Sequence, residues 1–194
     1  MTGWTNYIPL ILATIASLSL LWTNRWRYNI AAIAIQYLAV FWFVALVWPI
    51  GLASIKLIAG WMSGAMLAAA INASERPDAV PPVLSSRIFR VVAGVFVLIL
   101  AISAAPLAAD WIAAPLPAII TSLLLIGMGL LQLGSTNNPL RVIIGLLTIL
   151  SGFEIVYAAG VASVLVTGLL ALVTLGLALA GGYWLSLASP GEPL

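Results

Sequence analysis

The sequence predicts an all-α integral membrane protein, a bundle of about seven transmembrane helices in a single domain over residues 1–194. Three observations predict this class. The chain is 64% hydrophobic and only 6% charged, with a mean hydropathy of +1.22, which leaves too little polar surface to coat a soluble globule. Its apolar residues form seven runs of about 20, each able to cross roughly 30 Å of hydrocarbon. Its arginines occur only in alternate loops between those runs.

Each predicted span ends at a polar or turn-forming segment. In chain order the spans are 6–23, 29–48, 51–72, 88–108, 116–133, 140–160 and 162–185. The breaks between them are a polar loop at 24–28, Trp-Pro-Ile-Gly at 48–51, the polar and proline-rich stretch 74–82, prolines 115 and 117, Thr-Asn-Asn-Pro at 136–139, and a tight turn at Gly160. The first span has no basic segment before it and no Ala-x-Ala cleavage site, so we expect a retained helix.

The arginines predict the orientation of the bundle. Arg25, Arg27, Arg76, Arg87, Arg90 and Arg141 all fall in or beside the first, third and fifth loops, and the other loops contain no arginine or lysine. Cytoplasmic loops are enriched in basic residues, so we expect the N-terminus outside and the C-terminus in the cytoplasm. We expect the membrane to be the bacterial cytoplasmic membrane.

A faint internal repeat divides the predicted bundle. The segment 21–24, followed by an arginine and an apolar helix, resembles 134–137 followed by Arg141, at an offset of 113 residues. The pattern predicts one three-helix unit over 1–73, a loop and a linking helix over 74–115, and a second three-helix unit over 116–194. A duplication would explain the repeat, and similar loop punctuation alone would also produce it.

Glu154 is the most informative residue for function, because a carboxyl group well inside an apolar span is costly and marks either a pathway or a partner. It lies thirteen residues after Arg141, or about 20 Å along a helix. Ser151 and Tyr157 share its helix face and could supply hydroxyls. Glu154 is therefore a candidate proton acceptor or relay, and the alternative is a structural carboxyl that fixes helix register.

Lys56 is the predicted partner of Glu154. It lies about six residues into the third span, at a similar depth, and a pair would relieve both desolvation penalties. Two alternatives remain open: Lys56 could extend outward to the interface, and Asp110 is a rival partner. Gln36, in the second span, is a further candidate for the ion path, since a lipid-facing amide would be unfavourable.

The remaining features favour helix packing over catalysis. Gly60 and Gly64 have a GxxxG spacing, and Gly176, Ala180, Gly181 and Gly182 form a small-residue stripe. The chain has no cysteine and no histidine, which excludes thiolate and imidazole ligands for metals and haem. We predict no catalytic residue, no metal site and no cofactor, and the few basic residues indicate no nucleic-acid partner.

One segment carries a family resemblance. The run Asn-Pro-Leu-Arg-Val-Ile-Ile-Gly at 138–145 resembles the entry to the carboxylate-bearing helix of the NuoK-type subunit of complex I. In length, helix number and the basic loop at 24–30 followed by Gln36, the chain is similar to the E component of hydrogenase-4 and formate hydrogenlyase-type complexes. In that family a NuoK-like unit of three helices follows additional helices. The resemblance implies the same orientation, with a cytoplasmic loop before the carboxylate helix.

The chain also departs from this family. When 138–145 is aligned, the NuoK-type carboxylate position falls on Leu147 and the hydrogenase-type position near Leu150. Glu154 lies on roughly the same helix face, one to two turns further along. The last span contains no acidic residue, whereas NuoK-type subunits carry a second one there.

Three functions are compatible with the sequence. We expect a noncatalytic membrane-arm subunit of a complex I-like, hydrogenase-like or Mrp-type assembly that assists proton or sodium translocation. Its partners would be antiporter-like or quinone-module membrane subunits, so that it belongs to a membrane oxidoreductase without being catalytic itself. The alternatives are a structural or assembly subunit of another respiratory or photosynthetic complex, and a small stand-alone transporter. The scarcity of polar residues in the spans argues against a solute pore.

Overall fold

The computed structural model describes residues 7–23, 25–73, 84–136, 138–160 and 163–187, and these residues form seven helices and no strand. The helices are α1 (Tyr7–Trp22), α2 (Trp26–Ala45), α3 (Ile50–Ala73), α4 (Leu84–Ala109), α5 (Leu116–Gly134), α6 (Pro139–Gly160) and α7 (Val164–Leu187). The predicted all-α class is confirmed. The prediction for residues 74–82 lies outside the described residues.

Six helices, α2 to α7, are long and apolar enough to cross a membrane, whereas α1 is apolar but has only 16 residues. At 1.5 Å per residue α1 is about 24 Å long, slightly less than the hydrocarbon thickness. The bundle surface is rich in exposed apolar side chains, of which Phe89 on α4 and Leu165 on α7 are 70% and 77% exposed. Apolar side chains on this scale indicate a surface in contact with lipid. The protein is therefore an integral membrane protein.

Local sequence determines where the helices begin. Pro115 and Pro117 start α5, where a proline in the first turn lacks only an N–H that the helix leaves unbonded. The side chain of Asn138 caps α6 by accepting a hydrogen bond from the backbone N–H of Leu140 at 3.0 Å. The hydroxyl of Thr136 in turn accepts the N–H of Asn138. These caps explain why the predicted starts of α5 and α6 agree with the structure to within one residue.

The helices form two layers of three. Helices α1, α2 and α3 form the N-terminal layer and α5, α6 and α7 the C-terminal layer, and within each layer consecutive helices pack side by side. Across the layers α1 contacts α5, α2 contacts α6 and α3 contacts α7, while α4 packs on α1 and α5 at one edge. The division of the chain into three segments and the common origin of the two layers stay predictions.

Hydrogen bonds between the layers establish the directions of the helices. The guanidinium of Arg141, at the start of α6, donates to the carbonyl of Thr23, at the end of α1. The indole N–H of Trp48, after α2, donates to the carbonyl of Ala158, at the end of α6, at 2.9 Å. Helices α2 and α6 therefore run in the same direction. We call the end of the bundle that holds the arginines the arginine face, and the end that holds Trp48 the opposite face.

Close helix contacts depend on glycine in the C-terminal layer. A Cβ added to Gly152 of α6 would lie 2.7 Å from the carbonyl oxygen of Ser122 in α5, and one added to Gly129 of α5 would lie 2.6 Å from that of Gly145. The hydroxyl of Ser122 donates to the carbonyl of Gly152 at 2.6 Å. Helices α5 and α6 thus pack backbone against backbone, as small residues permit in membrane proteins.

Candidate functional site

Lys56 and Glu154 form an ion pair inside the bundle. The distance from Lys56 Nζ to Glu154 Oε1 is 2.7 Å, and the two side chains are only 2% and 1% exposed. Helices α2, α3, α7 and α6 form a closed ring in which each contacts the next. The pair joins α3 to α6 across the diagonal of this ring. The sequence had favoured Glu154 over Asp110 as the partner of Lys56.

The pair lies nearer the opposite face than the arginine face. Lys56 is six residues after the start of α3 at Ile50, and Glu154 is six residues before the end of α6 at Gly160. Each is therefore about 9 Å from the end of its helix. A lysine this near the interface could extend outward, but Lys56 is 2% exposed and points into the ring instead. The outward alternative for Lys56 was wrong, because Glu154 supplies an inward partner.

Tyr37 of α2 is the third member of the site. The residue is 1% exposed, and its ring packs on Gly60 of α3 so closely that a Cβ at that position would overlap the ring. Gly60 lies four residues, or about one helical turn, after Lys56 on α3, so the ring packs close to the ion pair. Both the Tyr37 hydroxyl and the second carboxylate oxygen, Glu154 Oε2, are buried without a hydrogen-bond partner in the described part of the chain.

Three smaller hydroxyls lie around that of Tyr37, none of them in hydrogen-bonding geometry with it. They belong to Ser63 of α3, Ser151 of α6 and Thr174 of α7, which are 0%, 0% and 1% exposed. Each of the three donates its proton to a carbonyl of its own helix, at 2.7, 2.8 and 2.9 Å respectively. Their oxygens keep acceptor capacity towards a tyrosine O–H. We call Tyr37, Ser63, Ser151 and Thr174 the hydroxyl cluster.

Buried polar residues recur at a spacing of seven on every helix of the ring. Seven residues are nearly two helical turns, so both members of a pair lie on one face. The pairs, all buried, are Asn29 and Gln36 on α2, Lys56 and Ser63 on α3, Arg141 and Thr148 on α6, and Thr167 and Thr174 on α7. The ring interior is therefore more polar than the composition of the chain indicates.

The structure places the other sequence candidates as follows. Ser151 lies in the hydroxyl cluster, and Gln36 is 0% exposed with neither its side-chain oxygen nor its nitrogen hydrogen-bonded in the described residues. Tyr157 packs between the rings of Trp48 and Phe153, with centroids 6.2 and 6.3 Å away. It shares a helix face with Glu154, but its ring belongs to this aromatic group. Asp110 is exposed in the turn after α4 and is not the partner of Lys56, which is paired with Glu154.

The small-residue stripes serve mainly to pack helices within the chain. Gly60 accommodates Tyr37, Gly181 packs on Ile143 of α6, and Gly182 packs on Ala70 of α3. Gly176 has no neighbour within 4 Å of an added Cβ among the described residues. Close approach thus occurs at Gly60, Gly181 and Gly182, whereas Gly64 makes an ordinary contact at 3.6 Å and Gly176 and Ala180 are exposed.

The sequence did not identify Tyr37, Ser63 or Thr174 as site residues. Tyrosine, serine and threonine are common in membrane helices, where hydroxyls bond to the carbonyl one turn earlier. They carry no charge, and the spacing of seven that relates Ser63 to Lys56 and Thr174 to Thr167 does not by itself indicate a shared site. Only the packing of α2, α3 and α7 against α6 brings them near Glu154.

Comparison with protein-family models, curated proteins and solved structures finds no match to this chain. The likeness of residues 138–145 to NuoK-type subunits therefore stays a prediction from the sequence.

Proposed function

We propose that the chain is a noncatalytic membrane-arm subunit of a complex I-like, hydrogenase-like or Mrp-type assembly, and that it assists proton or sodium translocation. The observation that carries this proposal is the Lys56–Glu154 pair, 2.7 Å apart and almost fully buried between helices of different layers. Ionisable groups inside a membrane are costly and commonly mark ion pathways. The sequence resemblance and the polar ring interior give further support.

The pair has the chemistry of a proton relay. A carboxylate and an ammonium in contact can exchange a proton, so that the two groups are either both charged or both neutral. An ion arriving nearby shifts the balance between these forms, because charges interact strongly where water is scarce. Tyr37 could accept and donate a proton beside Glu154. Partner subunits would supply the driving force for translocation.

A structural role for the pair is the alternative, since a direct contact between two buried charges also fixes helix register. A double variant separates the two functions. Glu154→Gln with Lys56→Met removes both charges while nearly keeping the side-chain volumes, so neither charge is left without its partner. Under the proposal, the complex should assemble with this variant and translocate ions much more slowly.

The test compares inverted vesicles from cells that carry the wild-type chain or the double variant. Subunit occupancy is measured by quantitative mass spectrometry and translocation with a fluorescent ΔpH or sodium indicator. Ser54→Ala, which removes a hydroxyl bonded only to its own helix at Ile50, serves as the matched control. A double variant that assembles fully and translocates at the wild-type rate would overturn the proposal and leave the structural role.

A further inference from the structure

Unpaired buried polar atoms occur on only one side of the ion pair in the described part of the chain. Besides Glu154 Oε2 and the Tyr37 hydroxyl, they are the side-chain oxygen and nitrogen of Gln36, Asn29 Oδ1, Gln132 Nε2 and Arg87 Nε. Helix α2 runs from the arginine face, so Gln36 lies at the level of Tyr37, and Asn29 about 12 Å nearer that face. Gln132 and Arg87 lie close to that face, near the end of α5 and the start of α4.

The opposite side of the pair is packed mainly by apolar side chains, and the hydroxyl of Thr167, buried at that level on α7, donates to the carbonyl of Ser163 in its own helix. Six residues at most 4% exposed belong to one contacting cluster there: Phe43, Val44, Trp48, Ala53, Ile155 and Ala158. The only polar side-chain group among them, the indole N–H of Trp48, is bonded to the carbonyl of Ala158. The ring of Tyr157 packs edge-on against Trp48. We call these six residues the apolar seal.

Apolar side chains also pack the ring towards the arginine face, in a cluster that includes Leu67, Ile144 and Leu147. The two sides of the pair therefore differ in their unpaired polar atoms, and this difference has a physical consequence for water. A buried polar group without a protein partner costs roughly 1–3 kcal/mol and usually binds ordered water instead. Apolar cavities stay dry. Amides at positions 29 and 36 and the hydroxyl of Tyr37 are therefore sites for water between the arginine face and Glu154, while the seal offers none.

We infer that Glu154 exchanges ions with the arginine face alone, along a narrow hydrated path through the hydroxyl cluster, Gln36 and Asn29. The apolar seal separates it from the opposite face. The functional meaning of this path rests on the proposed function, because the path gives protons or sodium ions access to the pair from one side only. Release to the other side then requires a partner subunit or a rearrangement of the seal.

Single cysteines test this access directly, because the chain contains no cysteine of its own. Two substitutions exchange an oxygen for a sulfur in the hydroxyl cluster, Ser151→Cys and Ser63→Cys. Two matched variants place a thiol in the seal on the same helices, Ala158→Cys and Ala53→Cys. Reaction rates with silver ion, a small thiol-reactive cation, are measured from each face in vesicles that contain the full complex.

Two exposed positions identify the faces in each preparation. Arg25→Cys marks the arginine face and Asp110→Cys marks the opposite face, since both residues are exposed in the structure. After a brief exposure to silver ion and removal of the excess, the membranes are denatured, and the remaining free thiols are counted by the mass added with a polymer-linked maleimide. This count also shows that each variant is present in the membrane.

The cluster cysteines should react on the order of tenfold faster from the arginine face than from the opposite face, because inaccessible thiols are inert. The seal cysteines should react slowly from both faces. Equal rates from the two faces, faster reaction of the seal positions, or no reaction in the cluster would each overturn the inference. None of these results depends on translocation, so the proposed function stands or fails separately on the activity of the double variant.

Discussion

The energy stored in the Lys56–Glu154 pair can be predicted from its geometry and measured by a double-mutant cycle. Two unit charges 2.7 Å apart attract each other by about 6 kcal/mol at an effective dielectric constant of 20. Removing one charge leaves the other without compensation. The remaining group can avoid an unpaired charge inside the bundle only by becoming neutral. The free-energy cost of neutralising it therefore sets an upper limit on the loss of stability.

The two single variants should therefore differ. Glu154→Gln strands Lys56, and deprotonating a lysine at pH 7 costs about 5 kcal/mol. Lys56→Met strands Glu154, and protonating a glutamate at pH 7 costs about 4 kcal/mol. We expect losses of about 3–5 kcal/mol, the usual cost of breaking a buried pair, with Glu154→Gln the more destabilised. The double variant should be close to wild type.

The pH dependence of the two variants should have opposite signs. Folded Glu154→Gln carries a neutral Lys56 and binds one proton fewer than its unfolded chain near pH 7, so its stability should rise with pH. Folded Lys56→Met carries a neutral Glu154 and binds one proton more, so its stability should fall with pH. Each slope approaches about 1.4 kcal/mol per pH unit.

The assay is unfolding of the purified chain in mixed micelles of mild detergent and dodecyl sulfate, followed by circular dichroism and tryptophan fluorescence. Single losses of about 3–5 kcal/mol each, with a double variant close to wild type, give a coupling energy of about 6–10 kcal/mol, well above the range of about 0.5–3 kcal/mol usual for neighbouring residues. Additive single losses, with a coupling below about 0.5 kcal/mol, would refute the reasoning, because they would mean that the two charges are stabilised independently. Slopes of the same sign would refute it too.

Three further predictions concern packing, topology and assembly. Gly60→Ala should destabilise the bundle by about 1–3 kcal/mol through overlap with Tyr37, whereas the matched control Gly64→Ala, with its nearest neighbour 3.6 Å from an added Cβ, should be nearly neutral; equal unfolding midpoints would contradict this role of Gly60. Reporter fusions should read cytoplasmic after residue 78 and external after residue 112, and a cytoplasmic reading at 112 would exclude the predicted orientation. The tagged chain should copurify with larger multi-helix subunits after mild extraction, and an isolated particle that transports ions alone would contradict the subunit proposal.

The sequence predicted helix number well and helix ends unevenly. Where proline or a capping side chain defines the start, as at Leu116 and Pro139, prediction and structure differ by at most one residue. At the end of α2 the difference is three residues, because the predicted span ran to Trp48 and the helix ends at Ala45. The turn there is itself apolar, and hydropathy does not distinguish an apolar turn from an apolar helix. Only the Trp48 bond to α6 shows its function.

The site was predictable in part, for a reason of energy. A charge inside an apolar span is so costly that it stands out from sequence alone and requires a partner, which is how Glu154 and Lys56 were linked. A hydroxyl costs little in a helix, since it bonds to the preceding turn. Within the hydroxyl cluster, Ser151 was predicted because it shares a helix face with Glu154. The other three hydroxyls gave no such signal, because their position follows from contacts between helices that are far apart in sequence.

Depth in the membrane relates the position of the Glu154 carboxylate to that of the hydroxyl cluster. Leu147, where the resemblance would place the acid, is fully buried in an apolar cluster, and lies about 20 Å from the end of α6, whereas Glu154 lies about 9 Å from it. The distance along the helix from its end at the opposite face is about 12 Å for Tyr37, 15 Å for Thr174 and 20 Å for Ser63. The cluster thus occupies the levels between Glu154 and Leu147. Under the inferred access from the arginine face, an ion would have to cross this additional depth to reach Glu154, and the hydroxyls are polar side chains at those levels.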